Sequence, residues 1–340
     1  MLTVLTTKLS TQEWLSAKFL TNLHHKNVSF VLPEAHQVEL TENPDAASQQ
    51  LILFSESLNL EKLYQIQGAL AEALKVTVYQ PGYQGNNGCA IDAQVTVLDS
   101  SNLPALIETV AVRFQVDISL LEKRPTLTKP GLLLMDMDST VIGIECIDEI
   151  AKLAGVGKQV SEVTELAMQG KLDFAQSLTS RVACLAGADE SILKTVRDNV
   201  PINLGISRLL AELKNANWKL AIASGGFTYF ADYLAQRLDL DFAISNQLEI
   251  VDGKLTGKVL GEIIGAQSKA DTLNMLAEKY AIEKSQTIAL GDGANDLVMM
   301  AQAGLGVAYH AKPVVRQQAD AALRFCAADG LLALLTTNEQ

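Results

Sequence analysis

At 340 residues, 48% hydrophobic and 19% charged, the chain has the composition of a globular protein long enough for two domains and more than one core. Its net charge of −12 and pI near 4.9 argue against nucleic acid as a partner, because phosphate backbones are bound by clustered Lys and Arg. That acidity does not exclude a small phosphorylated molecule, which needs only local positive charge or a metal ion.

The N-terminal residues, MLTVLTTKLSTQEW, lack the basic start and apolar core of a signal peptide. No uninterrupted apolar stretch reaches the ~18 residues of a membrane span. Cys89, Cys146, Cys184 and Cys326 lie far apart with no C-x-x-C pair, which fits neither a disulfide framework nor a zinc site. The expectation is a soluble cytoplasmic protein with no membrane partner.

Residues 1–121 read as a separate α+β unit. The polar run TENPDAASQQ, Thr41 to Gln50, is expected to be a loop before the short strand LILF. Leu60, Leu63, Ile66, Leu70 and Leu74 fall at helical spacing, and KVTVY follows as a strand. QPGYQGNNG is expected to be a loop from its Gly, Pro and Asn content. A strand near Ala90 to Leu98, a helix near Leu103 to Phe114 and a strand near Val116 to Leu121 complete the unit. EKRPTLTKP, residues 122–130, has the composition of a linker.

From residue 131 to 340 strands alternate with helices, the pattern of a parallel sheet covered on both faces. The strands LLLMDMD, WKLAIASGG, FAISN, TIALGDG and GVAYH end in Gly, Ser, Asn, Asp or His. Between about residues 144 and 200 there is only helical periodicity, which suggests a helical cap inserted after the first strand. Asp252-Gly253, between two strand-like runs, signals a hairpin.

In such sheets ligands collect outside the carboxyl ends of the strands. Asp136 and Asp138 end the first strand two residues apart, so an extended chain points both carboxylates to one face. Asp138, Ser139 or Thr140 would serve equally as a helix cap, but a cap does not require a second acid two residues earlier. The second strand ends in Ser224-Gly225-Gly226, where a hydroxyl and closely approaching N–H groups suit an anion; a tight turn would read the same. Asp292, Asn295 and Asp296 follow the TIAL strand in GDGAND.

Four aspartates gathered at one edge would repel one another unless a cation sat among them. Hard oxygen donors without His or Cys favour Mg²⁺. Lys269 is a candidate fixed positive charge, although on its own it reads as a surface lysine. A carboxylate can attack phosphorus to give an aspartyl-phosphate. A second carboxylate beside it can protonate the leaving alkoxide and later deprotonate the attacking water.

DMDST, Ser224, Lys269 and GDGAND, in this order, resemble the four motifs of the haloacid dehalogenase-like phosphohydrolases. Within that superfamily, DMDSTVIGIECIDEIA, AMQGKLDFAQSLTSRV, ASGGFTYFADYLA and DGKLTGKV are similar to the phosphoserine phosphatase family. The resemblance implies a Rossmann-like α/β core with a helical cap, and Mg²⁺-dependent hydrolysis of O-phospho-L-serine in the last step of serine biosynthesis. It implies Asp136 as nucleophile and Asp138 as general acid/base. Mg²⁺ would be held by Asp136, Asp292 and the Asp138 carbonyl. Ser224, the Gly225 backbone, Lys269 and Asn295 would hold the phosphate, and Asp296 would orient Lys269 or a metal-bound water.

The same resemblance gives Glu145 to the substrate ammonium, Arg181 to its carboxylate, and Met168 and Phe174 to closing the pocket. Read from spacing alone, Arg181 is a surface helix residue and Glu145 a charge at a helix start. Met137, between the aspartates, departs from the aromatic residue common in the wider superfamily. The rhythm of residues 1–121 resembles ACT-type amino-acid-binding modules, which implies regulation or a homodimer. Two other readings stay open from sequence: a phosphatase of another small ester such as homoserine phosphate, and a phospho-accepting signalling domain.

Overall fold

The computed structural model describes residues 5–26, 28–41, 49–85 and 88–336. It divides into two compact units, Met1–Thr128 with Val307–Gln340, and Lys129–Gly306. The division differs from the sequence expectation in two respects: residues 122–128 of the expected linker and residues from 307 onward group with the N-terminal part.

In the first unit the chain runs β1 (Leu5–Lys8), α1 (Thr11–Leu15), α2 (Ala17–Lys26), β2 (Ser29–Val31) and β3 (Gln37–Thr41). It continues with β4 (Gln49–Ser55), α3 (Leu60–Leu70), β5 (Leu74–Gly85), β6 (Gly88–Val97), α4 (Leu103–Phe114) and β7 (Asp117–Leu121). The strands form one sheet in the order β1-β3-β2-β5-β6-β4-β7, paired antiparallel. Elements β4 to β7 thus repeat a β-α-β-β-α-β unit, the split βαβ arrangement. Alternate residues of β6, Ile91, Ala93 and Val95, face the core that α3 and α4 cover with Leu63, Ile66 and Ile107.

Helix α3 starts where Asn59 accepts a hydrogen bond from the Lys62 N–H at 2.9 Å. It ends at Leu70, so Leu74, expected on the helix, opens β5 instead. Of QPGYQGNNG, residues 86 and 87 lie outside the described residues and the rest is not a free loop: β5 reaches Gly85, with Gln80 opposite Asp92 and Gln84 opposite Cys89. The register slips between Pro81 and Gln84, where a proline without an N–H is tolerated. Of the expected loop from Thr41 to Gln50, residues 42–48 lie outside the described residues, while its ends belong to β3 and β4.

Part of the expected linker is built into this unit. The Arg124 side chain is 4% exposed and pairs with Asp92. It also donates to the carbonyls of Ala333, Leu334 and Leu335 at 2.8, 3.0 and 2.8 Å. The first two carbonyls belong to a buried 3-10 segment, Ala328–Leu334, and the third to Leu335, which caps its end. Before that segment, β13 (Leu305–Tyr309) pairs in parallel with β14 (Ala321–Leu323) across a short α13 (Pro313–Arg316).

In the second unit β8 (Leu132–Met135) is wholly buried, as a continuous apolar run in a parallel sheet should be. After it come α5 (Cys146–Leu153), α6 (Gly157–Met168), α7 (Phe174–Ala183) and α8 (Ser191–Asp198), the expected helical cap. Then follow α9 (Ile206–Asn215), β9 (Lys219–Phe227), α10 (Thr228–Leu238), β10 (Phe242–Val251), β11 (Lys254–Leu260), α11 (Ala266–Lys279), β12 (Thr287–Gly291) and α12 (Leu297–Gln302). The strands are ordered β11-β10-β9-β8-β12, with parallel pairs from β10 to β12. β10 and β11 form the expected hairpin, its two turn residues Asp252 and Gly253 at φ 50° and 75°. No helix among the described residues is long and apolar enough to cross a membrane.

Candidate active site

Past Met135 the Asp136 N–H still bonds the Leu290 carbonyl at 2.9 Å, and then the chain turns sharply. The N–H groups of Val141 and Ile142 both reach back to the Met137 carbonyl, at 2.8 and 3.0 Å. Ser139 sits at φ 57°, the left-handed conformation this turn requires. Met137 is fully buried, so the residue between the aspartates faces away from solvent.

A cavity of about 220 Å³ opens over the carboxyl ends of β8, β9 and β12. Asp136 and Asp138 line it from β8, and Ser224, Gly225 and Gly226 from β9. Asp292 and Asn295 line it from the turn after β12. The cap contributes Glu145, Phe174 and Arg181. Lys269 and Asp296 are fully buried behind the lining. The Lys269 ammonium lies 2.7 Å from Asp136 Oδ1 and donates to Asp296 Oδ1 at 2.7 Å. Asp296 Oδ2 accepts the Gly293 N–H at 3.0 Å, which fixes the carboxylate that faces the lysine.

Burial opposes the Lys269 charge, but the two adjacent carboxylates outweigh it and raise its pKa. Asp136 is pushed well above the usual carboxylate range by burial and by Asp296, with Lys269 opposing. Burial, then Glu145, push Asp138 up to about 7, against the Cys146 N–H that its Oδ1 accepts at 3.2 Å. Burial, then Asp296 and Glu145, push Asp292 up to about 7, against the Thr140 hydroxyl donating at 3.1 Å. An acid poised near neutrality suits proton transfer in both directions.

Carboxylate oxygens of Asp136, Asp292 and Asp296 lie within 4.8 Å of one another, close enough to share a metal ion. All are hard oxygen donors, and the raised pKa values of Asp136 and Asp292 mark negative charge that Lys269 alone does not neutralise. The Asp138 carboxylate turns instead to the start of α5.

Arg181 lines this site, and its buried Nε has no hydrogen-bond partner among the described residues. Glu145 accepts the Ser139 hydroxyl at 2.7 Å. Phe174 packs on Gly225, where an added Cβ would meet the ring at 2.6 Å. Met168 is 71% exposed and does not line the cavity.

Sequence reading gave Thr140 no role beyond a possible helix cap and passed over Ile147, Leu178 and Asn246. Thr140 was legible as the threonine of D-x-D-x-T. Leu178 was legible as the i+4 neighbour of Phe174 on the face that carries Arg181. Asn246 carried no local signal, because its partners, the Gly225 carbonyl and Ile264, are distant in sequence.

Residues 131–304 match the model of the haloacid dehalogenase-like hydrolases. The phosphoserine phosphatase of Vibrio cholerae serotype O1 is 56% identical over 243 residues, 72% of this chain and 74% of that protein. The phosphoserine phosphatase of Haemophilus influenzae is 58% identical over 226 residues, 66% of this chain and 72% of that protein. The crystal structure of the probable phosphoserine phosphatase from Vibrio cholerae, in unliganded form, aligns with a TM-score of 0.71 and 49% identity over 84% of this chain and 86% of that one. With half of the chain matching the family model and relatives this similar over most of their length, the chain belongs to the haloacid dehalogenase-like hydrolases, in their phosphoserine phosphatase family.

Proposed function

We propose that the chain hydrolyses O-phospho-L-serine to L-serine and phosphate through an aspartyl-phosphate on Asp136. The observation that carries this reading is one cavity holding Asp136 and Asp138 at one end of its chemistry and Glu145 and Arg181 at the other. Phosphoserine presents a phosphoryl group, an ammonium and a carboxylate, and these residues match all three.

The Asp136 carboxylate attacks phosphorus in line with the seryl oxygen. The bond from phosphorus to that oxygen breaks, and Asp138 gives its proton to the departing alkoxide. Asp138 then takes a proton from water as the water attacks the phosphoryl group, releasing phosphate and restoring Asp136. Ser224, the Gly225 N–H, Asn295 and Lys269 hold the phosphoryl oxygens. The Arg181 guanidinium takes the substrate carboxylate in a fork, and its unpaired Nε supports that role. Glu145 takes the ammonium, and Phe174 covers the pocket.

Mg²⁺ fits the acidic cluster: Asp136, Asp292 and the Asp138 carbonyl would hold it, where it neutralises charge on the phosphoryl oxygens. Asp296 Oδ1 is already bonded to Lys269, which supports an orienting role for Asp296. The four free cysteines support a cytoplasmic setting.

Phosphate release from a panel of phosphorylated amino acids and sugars, with and without Mg²⁺, tests the assignment. O-phospho-L-serine should be the preferred substrate, chelation should stop turnover reversibly, and Asp136→Asn should abolish it. Undiminished turnover by Asp136→Asn would refute the mechanism.

Residues 1–121 are proposed as an ACT-like module that binds an amino acid or pairs two chains, on the support of the β-α-β-β-α-β order from β4 to β7. Sedimentation of the full chain with and without L-serine checks this. A monomer whose sedimentation and kinetics ignore L-serine, apart from competition at the active site, would end the idea.

A further inference from the structure

β9 and β10 pair in parallel up to Ala223 opposite Ile244, and pair again at Phe227 opposite Asn246. β9 therefore uses four residues where β10 uses two. Ser224, Gly225 and Gly226 bulge out of the ladder, and all three line the cavity. A bulge of this kind leaves backbone groups without ladder partners, and buried ones must find others.

The Asn246 side chain, 1% exposed, supplies the partner. Its Nδ2 donates to the Gly225 carbonyl at 2.9 Å. The same amide reaches a second segment: its Oδ1 accepts the Ile264 N–H at 2.8 Å, and Nδ2 lies 3.4 Å from the Ile264 carbonyl. Ile264 precedes Gly265, the N-cap of α11, whose carbonyl accepts the Lys269 N–H at 3.1 Å. One buried amide thus ties the bulge that carries Ser224 and Gly225 to the start of the helix that carries Lys269.

The cap reads the same spacing. The Phe174 ring lies over both segments: a Cβ on Gly225 would meet it at 2.6 Å and a Cβ on Gly265 at 3.3 Å. Asn246 itself does not line the cavity.

We propose that Asn246 is a positioning residue for the phosphate cradle. It fixes the bulge of β9 against the start of α11, so that Ser224 Oγ, the Gly225 N–H and Lys269 converge on one phosphoryl group. This rests on the phosphate-binding role given to those three groups above.

The test is Asn246→Ala in the full chain with Mg²⁺, with Asn246→Ser as a second variant should the first fail to fold. Binding of inorganic phosphate is measured by calorimetry, and inhibition by phosphate and by L-serine is measured in the assay. Misplacing a binding group by about 1 Å costs on the order of 10²-fold, so phosphate should weaken at least ~10-fold while L-serine stays within about 2-fold. kcat/KM should fall by a common factor for O-phospho-L-serine and for p-nitrophenyl phosphate, since both present the same phosphoryl group.

A folded variant with unchanged phosphate binding overturns the proposal. So does equal weakening of phosphate and L-serine, which marks a general distortion, and so does failure of both variants to fold, which leaves Asn246 a packing role. Calorimetry needs no substrate. A wild-type chain that binds phosphate but does not hydrolyse O-phospho-L-serine therefore refutes the substrate reading, while the variants still decide this one.

Discussion

Stripping divalent metal from the protein should reverse its ordinary response to pH. Asp138 and Asp292 each have an ordinary pKa of 3.8 and are pushed up to about 7 in the folded chain, chiefly by burial. Between those values the folded state holds protons that the unfolded state has released, so stability falls as pH rises through that window. A change from 3.8 to about 7 corresponds to ~4 kcal/mol for one group. Both side chains keep partial contact with solvent, so half of that, ~2 kcal/mol each, is the working figure. Asp136 is raised as well and acts in the same direction.

About three fifths of that ~2 kcal/mol per group falls between pH 5 and pH 8, so the two groups together account for ~2–3 kcal/mol there; at ~2–4 °C per kcal/mol for a unit of this size, the metal-free protein should melt ~5–10 °C lower at pH 8 than at pH 5. Trp218 is a suitable reporter: it is 2% exposed and packs on Gly131 beside β8. Trp14→Phe leaves it the single tryptophan. Thermal unfolding is followed by its fluorescence in EDTA and again in excess Mg²⁺. The cation should remove the downward slope, because binding requires the carboxylates deprotonated. A midpoint in EDTA that is flat or rises from pH 5 to pH 8 would show that these carboxylates are not crowded as described.

Two further outcomes follow from named contacts. Arg181→Ala should raise KM for O-phospho-L-serine by ~10–100-fold, the loss expected for a charged hydrogen-bonded pair, and leave hydrolysis of p-nitrophenyl phosphate within a few fold; equal losses on both esters would remove Arg181 from recognition. Arg124→Met leaves Asp92 without its buried partner and should destabilise the first unit by ~3–5 kcal/mol, read by urea unfolding; a loss under ~1 kcal/mol would show the pair to be idle.

The parallel sheet was legible in the sequence because its strands are buried on both faces. LLLM, LAIA and IAL are unbroken apolar runs that lead into Asp136, Ser224 and Gly291-Asp292. The hairpin at Asp252-Gly253 was legible because both turn residues must adopt positive φ. Asp136 and Asp138 stood out because two acids follow a strand with period two. What escaped notice depended on distance along the chain. β1 to β3 are strands of three to five residues with little alternation to detect. Pro81 and Gly82 look like loop residues, and only the partner strand shows that they belong to a slipped ladder. Asn246 and Arg124 are polar residues in ordinary surroundings until the fold brings their partners to them.

The carbonyls that Arg124 binds lie 209 to 211 residues further along the chain. During synthesis the guanidinium and Asp92 therefore emerge early and wait, while every residue of the acidic cluster, Asp136 to Asp296, leaves the ribosome before Ala333 does. The unit that lacks the acidic cluster is the one that finishes last. Until it does, it exposes a charge pair and the sheet face that Ala328–Leu334 packs on, so this module is where nascent chains should be most exposed to chaperones and proteases.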